Sequence, residues 1–237
     1  MTETTETDIL SDFFNPSELW VRTFPHAHAG VLATRGVANP SEHAALQERK
    51  LELETSLKAR LAGMDRAALR AHPTLRAYEE HYRHFDKTYH VQLQLESIVL
   101  KGKSVPTTAA LVEAMFMAEL DSMLLTAGHD LNAIRGQLTL DVARGTESYM
   151  LLRGIPQSPK PGDMMISDSE GIISSIVYGP DQRTQIRADT TRALFTVYAP
   201  AGIAREAVES HLREIATFAQ LIAPAARVEL VQVYPAD

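Results

Sequence analysis

The order in which helical and strand periodicity occur along this chain limits its fold more than any other feature. Up to residue 123 apolar residues recur mainly at helical spacing. From residue 137 they fall in short runs cut by glycine and proline turns. Ser41 is placed to cap a long amphipathic helix with Leu46, Leu53, Leu57 and Leu61 along one side. A second helix is predicted from Pro73, carrying Leu75, Tyr78, Tyr82 and Phe85, and a shorter one over residues 91–101, closed by Gly102. Residues 111–123 complete this helical series. Strands are predicted over residues 137–142, 148–152, 163–167, 172–178, 193–199 and 227–234. A helix over residues 204–222 sets Val208, Leu212, Ile215, Phe218 and Ile222 on one stripe. Two short strands, residues 19–24 and 30–35, precede them all. Helices early and strands late argue for an α+β fold, with a mixed or antiparallel sheet on which the C-terminal helix packs. Residues 1–18 read as a flexible N-terminal segment and residues 19–237 as a single domain.

Within the helix over residues 111–123, Leu111, Val112, Met115, Phe116, Leu120 and Met123 gather on one half of the circumference, and Glu119 falls near the middle of that arc. An unpaired charge costs several kcal/mol to bury, so this glutamate is paired, protonated or facing a cavity. One reading makes it a functional carboxyl; the other makes it part of the scaffold, either on a helix buried on both sides or paired to a nearby arginine. The segment runs on into Thr126-Ala127-Gly128-His129-Asp130, where Gly128 reads as the helix end and two more titratable groups follow.

Composition removes several chemistries. The chain of 237 residues has no cysteine, so disulfides, thiolate nucleophiles and zinc–thiolate sites are excluded. Its net charge of −7 argues against strong, nonspecific nucleic-acid binding. Arg49, Lys50, Lys58, Arg60, Arg66, Arg70 and Arg76 fall in one helical region, but Glu48, Glu52 and Glu54 interleave with them, as on a solvated helix face. No apolar run approaches the ~20 residues of a membrane span. The N-terminus lacks the basic and apolar regions of a signal peptide, so a cytoplasmic location without a membrane partner is expected. No phosphate-binding loop, dinucleotide fingerprint or nucleophile elbow occurs, and no cofactor is expected. Glu80 and His84 share a helix face, and His26 and His28 share a strand face, but neither pair has a third ligand nearby, so no metal is expected. Tyr78, Tyr82, Phe85 and Tyr89 could line an aromatic pocket or simply fill the core with their hydroxyls on polar partners.

A second cluster of polar groups follows Tyr178. Gly179-Pro180-Asp181 forms a turn that delivers Arg183 and Thr184 from a loop, with Thr190 at the start of the next strand. Arg183 suits bidentate contact with a carboxylate or phosphate, or an ion pair that ties down the turn; Thr184 can orient a water.

Several short motifs, in order, resemble the B3/B4 editing domain of the phenylalanyl-tRNA synthetase β subunit in its free-standing form. They are Val21-Arg22 with Gly30-Val31, the run from Val99 to Pro106, Gly128-His129-Asp130-Leu131 with Gly136, Gly145 with Glu147, and Gln182-Arg183-Thr184 with Thr190. The resemblance covers residues 19–220. It implies a B3/B4-like domain with a hydrolytic pocket of the tRNA-editing type, acting on an aminoacyl ester or related small acyl substrate, with transient tRNA contact. On that basis Glu119 and His129 are the candidate catalytic groups, and Phe116, Asp130, Tyr178, Arg183, Thr184 and Thr190 the candidate substrate contacts. The alternative is a non-catalytic amino-acid, nucleotide or RNA-binding module on the same fold. Relatives tend to carry Asn-x-x-Ser where this chain reads Phe116-Met117-Ala118-Glu119, and a small residue where His129 stands, which implies a more acidic and more apolar pocket here.

Overall fold

The computed structural model describes residues 13–236. Strand β1 (Phe14–Pro16) leads into helix α1 (Glu18–Thr23) and strand β2 (His28–Arg35). Five helices follow: α2 (Ala44–Arg60), α3 (Arg66–Arg70), α4 (Pro73–Arg83), α5 (His90–Val99) and α6 (Ala110–Ser122). Then come β3 (Leu125–Asp130), β4 (Leu138–Val142), β5 (Tyr149–Met150), β6 (Pro156–Gln157), β7 (Met164–Asp168), β8 (Gly171–Ser175), β9 (Gly179–Pro180) and β10 (Arg192–Ala199). Helix α7 (Arg205–Ile222) and strand β11 (Arg227–Pro235) complete the described chain. This is an α+β fold.

Two sheets divide the strands. One runs β11-β2-β10-β3, all antiparallel, and the other β1-β4-β7-β8-β9, in which β1 lies parallel to β4. Strands β5 and β6 form a separate hairpin. The central β10 alternates against both neighbours, so Phe195 stands opposite Leu32 on one side and Gly128 on the other. Helix α7 lies on this sheet with Val208, Leu212, Ile215 and Ile222 buried. Gly30 permits that contact, because a Cβ there would come within 2.5 Å of Val208 Cγ1 and 3.1 Å of Leu212 Cδ1.

Three local expectations are corrected. Residues 19–24 are helix α1, not a strand. Ser17 accepts a hydrogen bond from the Trp20 amide at 3.0 Å and Glu18 sits in the first turn, so an N-cap overrides a short strand-like alternation. Helix α2 begins at Ala44 behind His43, with no side-chain cap, so Ser41 does not start it. Helix α6 ends at Met123, in the left-handed conformation with φ 64°, and its carbonyl accepts a hydrogen bond from Tyr89 Oη at 3.0 Å. Gly128 therefore lies inside strand β3, which runs directly into the fully buried His129. Of the segment expected to be flexible, residues 1–12 lie outside the described residues. Phe14 is buried in the core and pairs with Leu138.

Candidate functional site

Helix α6 is apolar almost all round because it is buried on both sides, and it carries two buried glutamates. Glu113 is compensated: Lys50 Nζ lies 3.2 Å away, Gln47 Nε2 donates at 2.7 Å and the Thr108 amide at 3.1 Å. Glu119 is not. Its Oε1 accepts the Thr126 amide at 2.7 Å, Oε2 has no partner, and the residue is 1% exposed. Among the described residues Glu119 forms no ion pair to an arginine, whereas the helix is buried on both sides, as the other form of the scaffold reading expected. Burial pushes its carboxyl up to about 8, with the Thr126 hydrogen bond opposing.

Glu119 lies in the wall of a half-enclosed cavity of about 220 Å³ between α6, strand β3 and the segment from Ser175 to Ile186. Val112, Met115, Phe116, Ile176 and Ile186 make most of that wall apolar, and Leu152 reaches it from the β5–β6 hairpin. Gly128 keeps the β3 side open: a Cβ there would sit 2.9 Å from Ile186 Cδ1 and 3.0 Å from Met115 Sδ. Tyr78 and Tyr89 stack at 4.2 Å nearby, but their hydroxyls, and that of Tyr82, are bound to backbone groups. Tyr78, Tyr82 and Tyr89 are core, while Phe85 lines a separate cavity beside His81 and His84.

Thr126 also lines this cavity, and its hydroxyl belongs to a buried relay. Thr126 Oγ1 lies 2.6 Å from His211 Nε2, and His211 Nδ1 lies 2.8 Å from Ser122 Oγ. Burial holds the His211 imidazole neutral, down to about 4. No sequence signal joined these three residues, because Thr126 and His211 are 85 positions apart and meet only through the packing of α7 beneath β3.

The remaining candidates, Tyr178 apart, form a second cluster. Thr184 Oγ1 hydrogen-bonds Asp181 and lies 2.7 Å from His129 Nδ1. His129 is fully buried and lines neither the Glu119 cavity nor the neighbouring cleft, and its Nε2 has no partner. Burial first, then the Arg183 charge, holds its imidazole down to about 3 against the opposing Asp168. Arg183 pairs with Asp168 at 2.8 Å and Glu170 at 3.5 Å and donates to the Ala133 carbonyl at 2.9 Å. Thr190 donates to Asp130 at 2.8 Å, and Asp130 caps the following 3₁₀ turn through the Asn132 amide. Tyr178 lies under Lys87 Nζ, 5.7 Å from the ring centre.

The expectation that Glu119, His129 and Arg183 line one pocket is thus corrected. Glu119 and Phe116 share the apolar cavity. Arg183 lines a polar cleft of about 380 Å³ with Asp181, Gln182 and Arg187. Gln185 borders both. Loop ion pairing consumed the arginine that the sequence left open. Among the described residues no group of three histidines or carboxylates could hold a metal, and no helix is long and apolar enough to cross a membrane.

Residues 76–220 match the family model described as the B3/4 domain. Among solved structures, the chain is similar to an N-terminal fragment of the phenylalanyl-tRNA synthetase β-subunit from Pyrococcus horikoshii. The TM-score is 0.46 at 10% identity, and the match covers 94% of this chain and 53% of the other, so the chain spans about half that fragment's length. No curated protein matches.

Proposed function

The chain belongs to the B3/4 domain family, and on that premise we propose that it hydrolyses an aminoacyl ester or related small acyl ester in the Glu119 cavity. One observation carries this reading: a fully buried carboxyl with one oxygen fixed by an amide and the other unpartnered, in a mostly apolar wall. The acyl side chain occupies the apolar space beside Phe116. The alcohol portion of the ester extends toward the polar cleft beyond Gln185, where Arg183 stays paired to Asp168 and Glu170. His129, Thr184, Asp130 and Thr190 hold the loop that carries Arg183. Ionised Glu119 takes a proton from the hydrolytic water as the water oxygen attacks the acyl carbonyl, and returns it to the oxygen that departs. The base form is a minority at neutral pH, so the rate climbs as pH rises through about 8. Contact with tRNA, in this reading, is transient.

A second reading is binding of an amine-bearing amino acid without turnover. It is favoured by the absence of any lysine or arginine from the cavity wall, which leaves Glu119 suited to an ammonium group. A panel of mischarged tRNAs and small aminoacyl esters, run with wild type and Glu119→Gln, separates the two. Hydrolysis lost in the variant supports the esterase. A thermal shift by an amino acid that is never consumed supports the binder. Neither turnover nor any shift sinks both.

A further inference from the structure

We infer that Thr126 is the nucleophile of this site and His211 its base, so that ester cleavage passes through an acyl-threonine. The inference rests on the hydrolytic reading above and assigns it a covalent step. The proton positions follow from the hydrogen bonds. Ser122 Oγ donates its single hydrogen to the Ala118 carbonyl at 2.9 Å, so toward His211 it accepts, and the imidazole proton sits on Nδ1. The Leu124 amide donates to the same oxygen at 3.1 Å and pins it. Nε2 therefore carries a lone pair, and at 2.6 Å its partner Thr126 Oγ1 is the donor. A hydroxyl donating to a neutral imidazole whose far nitrogen is held by a third group is the arrangement that activates alcohol nucleophiles.

Position adds to this. Thr126 lines the cavity, and its own amide holds Glu119 Oε1 at 2.7 Å, so the carboxyl sits within one residue of the nucleophile. In the first step Thr126 Oγ1 bonds to the acyl carbon, its proton passes to His211 Nε2, and the ester C–O bond breaks as that proton joins the departing alcohol. In the second step water attacks the acyl-threonine and Glu119 takes the water proton; the C–O bond to threonine breaks as that proton passes to the threonine oxygen, which restores the Thr126 hydroxyl and the Glu119 carboxylate and releases the acid. Glu119 then belongs to deacylation, and removing it stalls the reaction half way.

The test uses p-nitrophenyl esters of leucine and phenylalanine with the full chain. Glu119→Gln is expected to release about one equivalent of p-nitrophenol in a burst and then stop. Intact mass should rise by one aminoacyl group, mapped to Thr126 by fragmentation. Thr126→Ser should keep the burst, and Thr126→Val, checked for folding by circular dichroism, should lose it. A folded Thr126→Val that hydrolyses esters at the wild-type rate, or an adduct on another residue, overturns the nucleophile while leaving the hydrolase reading intact. Wild type that shows neither turnover nor acylation overturns both.

Discussion

Two glutamates on one helix separate compensated from uncompensated burial. Glu113 is held by Lys50, Gln47 and an amide, so its charge is compensated. Truncating it to alanine leaves Lys50 buried and unpaired and is expected to cost about 3–5 kcal/mol in urea unfolding. Glu119 behaves in the opposite sense. Its folded pKa near 8 lies above the ordinary 4.5, so the folded state keeps a proton that the unfolded chain releases. Its contribution is full below about 4.5 and is lost as pH climbs through about 8. Glu119→Gln keeps the neutral shape without the ionisation. It should match wild type near pH 4.5 and be more stable at pH 8.5 by ~2–4 kcal/mol. Urea midpoints of both proteins across that range decide it; parallel pH dependences would contradict the raised pKa. The sequence pointed to Glu119 because helical periodicity is a local property. It did not distinguish Glu119 from Glu113, because the partners of Glu113 come from helix α2 and the loop before α6.

At the scale of elements, the helix over α6 and most strands were legible, since their apolar spacing and turn residues are contiguous in the chain. Helix α1 and strand β3 were not. A six-residue helix held by Ser17 shows little periodicity, and the run from Leu125 to Asp130 is buried on both faces, so it alternates poorly. Gly30 shows what the elements demand of each other, since α7 approaches β2 where a Cβ would clash with Val208 Cγ1. Gly30→Ala should lower stability by about 1–3 kcal/mol, and Val208→Ala in the same chain should recover part of that loss. Thermal melts of the single and double variants check the coupling; strictly additive losses would contradict the contact. The β5–β6 hairpin is the opposite case. Only two residues pair on each strand, and Met150, Leu152 and Ile155 are exposed although Leu152 borders the cavity. Such a short hairpin opens easily, so its amides should exchange hydrogen far faster than those of β10. Leu152→Ala should change ligand preference with little effect on the melting temperature, as read by calorimetry with aminoacyl amides of graded size.

Across the whole molecule, what the sequence withheld is pairing at a distance. The Arg183 loop suggests a substrate clamp until Asp168 and Glu170 arrive from the β7–β8 turn. The Thr126–His211 contact exists only once α7 folds back beneath the sheet. Ion pairing, local for Arg49 and at longer range for the others, matches five cations of the basic stretch of α2–α4. Arg49 is joined to Glu52, Lys50 to Glu113, Arg60 to Asp121, Arg66 to Glu96 and Arg70 to Glu79. Cations already matched by carboxylates release few counterions from a phosphate backbone, and the net charge of −7 opposes approach. On the proposed function, a contact with tRNA would depend on the aminoacyl end entering the cavity more than on the backbone. Fluorescence anisotropy with uncharged and aminoacylated RNA at about 50 and 200 mM salt tests this. Uncharged RNA is expected to bind weakly with a shallow salt slope, and an aminoacyl end to strengthen binding in wild type more than in Leu152→Trp, whose bulk closes the mouth. A steep salt slope with equal affinity for charged and uncharged RNA would show instead that the basic face grips the backbone.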